Sequence, residues 1–368
     1  MYQICALRRH LLSMTGCILL LLPLAACATN SSGVSSQSRS VQTTNSTATV
    51  STSSPRVIAI HTLAMGGFKP MLVIPGPLGL LMYPPGATGF AGLPSLAFYR
   101  YSDQRVETIA TAPTEPNGQQ GGIVDANYSG DWVSYVTDDS SQSNWALWAF
   151  NVTTGKRIQI DSQANEGSHA TWESQTSNAA DLVWAFFSGS PTGVTSQLLD
   201  YTYASGQQRT LDTSTTALLK PMAMNGSAAL IVEVNVTDSN VSTWIQPLAQ
   251  GDAYKIADVA GVNAWMSSRY AVWDDPHTGT TALFDLTTHQ FDAPFANCLR
   301  PAISESQPYM VCVQFASDSW LLVHVPDGAE TPFDEGKASL GDGGAIYNGR
   351  AFFIGPTGDV QYFDLPSQ

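Results

Sequence analysis

From residue 56 onward, short apolar runs alternate with turn residues, and one arrangement recurs: an aromatic-rich strand, a turn, then a more polar strand. Residues 145–150 (Trp-Ala-Leu-Trp-Ala-Phe) precede Thr154-Gly155-Lys156 and then residues 157–160 (Arg-Ile-Gln-Ile). Kindred segments lie at 197–201 before Ser205-Gly206, at 243–246 before Gln250-Gly251, and at 281–286 before Thr288-His289. Others lie at 320–323 before Asp327-Gly328, at 360–365 near the end and at 96–99 near the start. Strict alternation over four to eight residues, bounded by turn formers, predicts β-strands. The spacing of about forty to fifty residues is that of a structural repeat.

Upstream of most of these hairpins stands another with a strongly apolar strand. Gly130, Gly226 and Gly349 follow Ser129, Asn225 and Asn348, and each pair opens such a strand. Asn-Gly is a strong hairpin signal, because both central residues of the tight turn accept positive φ. Two hairpins per repeat make a four-stranded blade, and about seven repeats fit between residues 55 and 368. The expected fold is therefore an all-β, seven-bladed propeller. The last repeat lacks its outer strand, and the segment 56–61 (Arg-Val-Ile-Ala-Ile-His) stands alone before the first. Its expected place is the final blade, which would close the ring and hide the open sheet edges. The competing architectures are an eight-stranded sandwich and two smaller β domains, neither of which accounts for a repeated aromatic hairpin.

The N-terminal region has a different character. Arg8 and Arg9 precede an almost wholly apolar stretch over 11–26, too short for a comfortable membrane span and arranged as an export signal. It closes with Leu24-Ala25-Ala26-Cys27, which resembles the lipobox of bacterial lipoproteins. That resemblance implies removal of residues 1–26 and lipidation of Cys27, hence an extracytoplasmic protein held at a membrane. Two alternatives remain at this point: Ala26-Cys27-Ala28 as an ordinary A-x-A cleavage site, and Arg8-Arg9 as part of a twin-arginine signal. Residues 27–54 are rich in Ser, Thr, Asn and Gln, a composition that cannot bury enough surface to offset its ordering entropy, and are expected to act as a tether.

Composition narrows the function classes. Charged residues make up only 12% of the chain, about half of the usual share, so Ser, Thr, Asn and Gln must wet the surface. The formal charge is −14, and the two leader arginines offset it, leaving −16 on the mature part. Such a field repels phosphate backbones, so no nucleic-acid partner is expected. Of five cysteines, Cys5 and Cys17 leave with the leader and Cys27 is the lipidation candidate. Cys298 and Cys312 flank a turn near Glu305, and the sequence leaves open whether they bond or stay as buried thiols.

In family terms the repeat is similar to the TolB-like, WD40-like and quinoprotein-like propellers of bacterial envelopes. Ser129-Gly130 and Asn348-Gly349 stand where TolB-like repeats have Ser-Pro-Asp-Gly, with no full match. The run 147–156 is similar to a quinoprotein repeat but lacks the tryptophan that follows its Gly-Lys. In such a ring, loops joining the second strand to the third share a face with the crossings between blades. On that face Asp138, Asp139, Asp274, Asp275, Asp238 and Asp318 form a candidate acidic rim for a cation or a basic partner. The alternative is that each caps its own turn. Trp265, Trp172 and His169 lie near blade mouths and are the candidate channel-mouth contacts.

No zinc-type spacing, nucleophile elbow or phosphate loop is present. The leading expectation is thus a monomeric, cofactor-free binding or scaffold lipoprotein, facing an envelope protein or glycan. The competing expectation is a glycan-cleaving or quinone-cofactor enzyme. Replacing Cys27→Ala should move the protein from the membrane to the soluble fraction, as read by fractionation of intact cells; unchanged retention would refute the anchor.

Overall fold

Six times over, the antiparallel strands of a sheet follow one another in sequence and pair in the same order, and a seventh sheet repeats the pattern with its outer strand taken from the start of the domain. The computed structural model describes residues 58–85, 92–140, 144–164, 170–190, 193–249, 251–296, 298–314, 317, 319–333 and 344–367. The leader, Cys27 and the proposed tether lie outside these residues. Blade 1 comprises Leu72–Pro75, Gly79–Tyr83, Ser95–Arg100 and Val106–Thr111. Blade 2 comprises Gly122–Ser129, Trp132–Asp138, Asn144–Asn151 and Arg157–Ala164. Blade 3 comprises Ala170–Ser177, Asp181–Ser190, Gly193–Thr202 and Gln207–Ser214. Blade 4 comprises Ala217–Met224, Ala228–Asn235, Val241–Pro247 and Tyr254–Ala257. Blade 5 comprises Val262–Met266, Tyr270–Asp275, Thr280–Asp285 and an outer strand split into Gln290–Phe291 and Phe295–Ala296. Blade 6 comprises Cys298–Ile303, Tyr309–Gln314, Ser319–His324 and Ala329–Pro332. Blade 7 comprises Ala345–Tyr347, Arg350–Ile354 and Val360–Asp364, and takes its fourth strand, His61–Thr62, from the N-terminal side of the ring.

The first strand of each blade touches the first strand of the next, and that of blade 7 touches that of blade 1, so the seven inner strands form a closed ring. The protein is an all-β, seven-bladed propeller. Closure uses a later segment than the sequence suggests. His61 lies opposite Tyr362 and Thr62 opposite Gln361, the rings of His61 and Tyr362 stack at 5.2 Å, and Leu63 N donates to Val360 O at 2.9 Å. The expected latch at 56–61 thus overlaps the observed one only at His61, and Arg56 and Val57 lie outside the described residues. The physical reason is downstream: Met65 is buried and Leu63 packs beside it between blades 7 and 1, whereas Ile60 stays exposed. The register follows the residues that find a core.

That core is divided. Each of the seven blade-to-blade interfaces holds its own apolar cluster, built from the facing sides of two neighbouring sheets. Trp184, Trp273 and Trp320 are fully buried in these layers, on second or third strands. Large flat rings suit a sheet-on-sheet gap, which explains the recurring aromatic hairpin.

Where the chain crosses from one blade to the next, a buried hydroxyl on the third strand fastens it. Ser196 Oγ accepts from Leu219 N at 3.0 Å, joining blades 3 and 4. Thr243 Oγ1 donates to Val259 O at 2.7 Å and accepts from Gly261 N at 3.1 Å, ahead of blade 5. Thr281 Oγ1 donates to Cys298 O at 2.5 Å, ahead of blade 6. All three side chains are 0% exposed, so these bonds form out of reach of water. Replacing Thr243→Val keeps the shape and strands two backbone groups. It should cost about 1–3 kcal/mol in urea unfolding; a change below about 0.5 kcal/mol would show that the fastener contributes nothing.

Candidate binding surface

At one end of the ring lie the loops between second and third strands, together with the blade-to-blade crossings. The sequence-predicted acids are held there in three distinct ways. Asp274 is buried at the joint between blades 5 and 6: its carboxylate accepts from Arg300 N at 2.9 and 3.0 Å, from Asn263 Nδ2 at 2.7 Å and from Thr281 Oγ1 at 3.4 Å. Burial raises its pKa to about 6 against these bonds, which favour the charged form. Asn263 and Arg300 occupy bulges at equivalent places in two inner strands, with φ of 49° and 55°. These positive angles turn the Arg300 amide onto the carboxylate.

Asp275 and Asp238 shape their own loops. Asp275 Oδ1 accepts from His277 N at 2.8 Å, and Asp238 accepts from Asn240 N at 3.0 Å and Asn240 Nδ2 at 2.7 Å. Asp139 accepts from Asn144 Nδ2 at 2.5 Å. Asp138, beside it, is buried with Oδ1 lacking a partner, and desolvation, reinforced by repulsion from Asp139, pushes its pKa up to about 7. Asp138 belongs to blade 2 and Asp274 to blade 5, so the structure does not bring them together. Asp318 and His169 lie outside the described residues, as does the side chain of Trp172. Trp265 sits on the inner strand of blade 5, half-buried and packed against the apolar layers on both sides of blade 6. Among the described residues, no three His, Cys, Asp or Glu side chains gather as a metal site.

Cys298 and Cys312 are bonded to each other, with Cα atoms 5.5 Å apart. They do not face one another across the ladder. Cys298 lies opposite Gln314, and a bulge between Leu299 and Ala302 shifts the register before Cys312 is reached. The bridge is therefore diagonal, and it sits in the layer between blades 5 and 6.

A second polar group, absent from the sequence expectations, crosses the inner strands of blades 2, 3 and 4. Asp125 Oδ2 accepts from Gln175 N at 3.4 Å, and Gln175 Oε1 accepts from Ser134 Oγ at 2.6 Å. Desolvation raises Asp125 to about 6, opposed first by the Gln175 amide and then by Lys220; Lys220 is itself lowered to about 8 by burial, opposed by Asp125. Both side chains keep partial exposure yet are walled in by protein. Tyr83 Oη donates to Ala126 O at 3.2 Å, and its phenol is pushed upward by the same burial. Asp125 on blade 2 and Lys220 on blade 4 thus each favour the other's charged form. The available signal was a charge amid apolar strand residues, as in Ile123-Val-Asp-Ala126 and Leu218-Leu-Lys-Pro221.

No family model matches the chain, and no curated protein matches it by sequence. Solved structures do match in fold. Oligogalacturonate lyase from Vibrio parahaemolyticus aligns with a TM-score of 0.54 at 10% identity, over 85% of this chain and 96% of that one. Virginiamycin B lyase from Staphylococcus aureus aligns with a TM-score of 0.51 at 9% identity, over 84% of this chain and 100% of that one. TolB from Acinetobacter baumannii aligns at 0.41 and 10% identity, over 73% of this chain and 59% of that one. At such identities the likeness shows the shared propeller fold alone.

Proposed function

We propose that the chain is an exported lipoprotein, lipidated at Cys27, whose ring is a non-enzymatic binding module for another component of the cell envelope. The observation that carries this reading is that described loops on this face are tied by hydrogen bonds to neighbouring crossings or to their own strands. Ser140 N donates to Glu115 Oε1 at 2.6 Å, tying the second-to-third loop of blade 2 to the crossing from blade 1. Lys69 Nζ donates to Thr357 O at 2.6 Å, doing the same for blade 7 and the crossing into blade 1. Within blade 7 Thr357 Oγ1 donates to Asp359 Oδ2 at 2.6 Å, and in blade 6 the Ser317 and Ser319 hydroxyls donate to Gln314 Oε1 at 2.7 and 3.1 Å. Loop segments held in this way lose little conformational entropy on binding.

The Cys298–Cys312 bridge supports an oxidising, extracytoplasmic setting, since such bonds persist there and are rare in the cytosol. Export and anchoring themselves rest on the leader and the Leu24–Cys27 motif.

The test is cross-linking on intact cells followed by mass spectrometry of captured proteins, comparing the wild type with the double variant Lys69→Ala, Glu115→Ala. A reproducible envelope partner should be captured by the wild type, with yield about threefold lower or less in the variant whose loops are freed. Equal capture by both would overturn the loop-face assignment. Turnover of oligogalacturonate by the purified protein would overturn the non-enzymatic reading.

A further inference from the structure

On the face of blade 4 that turns toward blade 3, near the loop end, lies a hollow of about 410 Å³ with an aromatic wall. Trp244 supplies that wall; its neighbours in the lining include Glu233, Asp238, Asn240, Lys255 and Asp258. On this face Glu233 and Ser242 lie opposite one another, as do Ile231 and Trp244, and Trp244 lies opposite Lys255. The hollow is thus continuous with the blade 3–blade 4 core through Ile231.

The chemistry of the lining selects a ligand class. The indole N–H of Trp244 is already engaged with Ser242 Oγ at 2.8 Å, so the residue offers its ring rather than a donor. Lys255 pairs with Asp258 at 2.6 Å, and Asp238 is satisfied by Asn240. Glu233 differs: it is half-buried and accepts no hydrogen bond from a described residue, and its pKa is raised by desolvation and by repulsion from Asp212 of blade 3, opposed by Lys255. Three carboxylates against one ammonium leave the lining at about −2. A desolvated carboxylate beside an aromatic ring is relieved by a cation, and an arginine fork both stacks on indole and bonds a carboxylate. A neutral saccharide would stack on the ring but bring no charge to complement the net-negative lining.

We infer that the hollow on blade 4 is a docking site for a guanidinium or ammonium group, carried by a basic segment of a partner protein. The inference rests on the binding-module reading and narrows the partner's chemistry.

The probe is a fluorescent tetra-arginine peptide with blocked ends, titrated against the purified full-length protein by fluorescence anisotropy. Saturable binding is expected, about tenfold weaker in both Glu233→Gln and Trp244→Leu. Glu330→Gln, a charge-matched change on the exposed outer strand of blade 6, should leave it unaltered. Thermal melts identify any Trp244 variant that fails to fold, in which case Glu233→Gln alone decides. Equal weakening by Glu233→Gln and Glu330→Gln would reduce the effect to net charge and overturn the site. Absence of peptide binding, or binding of neutral chitotetraose that Glu233→Gln does not disturb, would overturn it as well. None of these failures touches the loop-face reading, which stands or falls on the cross-linking comparison.

Discussion

Every blade is apolar on both faces, and a four-stranded sheet with two greasy faces has no stable existence unless something lies against each of them. This single constraint orders the rest of the molecule. Seven sheets arranged around an axis give each a neighbour on either side, which is why the apolar residues divide into seven layers rather than one central core. Closure is a necessity of the same kind. With the fourth strand of blade 7 missing, its third strand would expose a ladder edge and the layer against blade 1 would open. The His61–Thr62 strand removes both problems, and Met65 and Leu63 fill the layer just beyond it.

Close approach between blades also dictates which residues stand at the opposite end of the ring. Gly76 lies so near Tyr128 that a Cβ there would meet its ring at 2.2 Å, and Tyr128 in turn accepts a bond from Leu78 N at 3.1 Å. Asn178 Nδ2 donates to Asn225 O, and Asn225 Nδ2 donates to Ser267 O, both at 2.8 Å, so the first turns of blades 3, 4 and 5 are linked in a chain. Packing pulls the sheets together, and these short side chains make the polar backbone at their tips compatible with it.

Much of this was legible because hairpin chemistry is local. Strand alternation and turn residues act over four to eight positions, so the aromatic hairpins and the incomplete last repeat could be read directly. What was misread depended on a partner distant in sequence. Asn348 and Gly349 adopt the two positive φ values that the dipeptide suggests, 47° and 73°. Asn225-Gly226 also makes a turn, but there Asn225 Oδ1 accepts from Ser227 N and Ala228 N while its amide reaches the next blade. The diagonal disulfide was hidden by a bulge, which a symmetric hairpin drawn from the sequence does not contain. The buried hydroxyls Ser196, Thr243 and Thr281 were equally invisible, because nothing in a polar residue announces that its oxygen will serve a crossing strand.

The acids illustrate how a ring with few charges uses them. Near the loop face, nearby backbone and side-chain donors take up Asp274, Asp275 and Asp238. Asp275 and Asp238 therefore close their own loops, and Asp274 is drawn inward by the Arg300 amide that its blade neighbour turns toward it. Glu233 accepts no such bond from a described residue, and the charges acting on its carboxylate are Asp212, which repels it, and Lys255, which favours its ionised form. In a molecule of net charge −14 such a carboxylate would draw cations to itself, with the surrounding field adding to the attraction at low salt and fading over about 10 Å at 0.1 M.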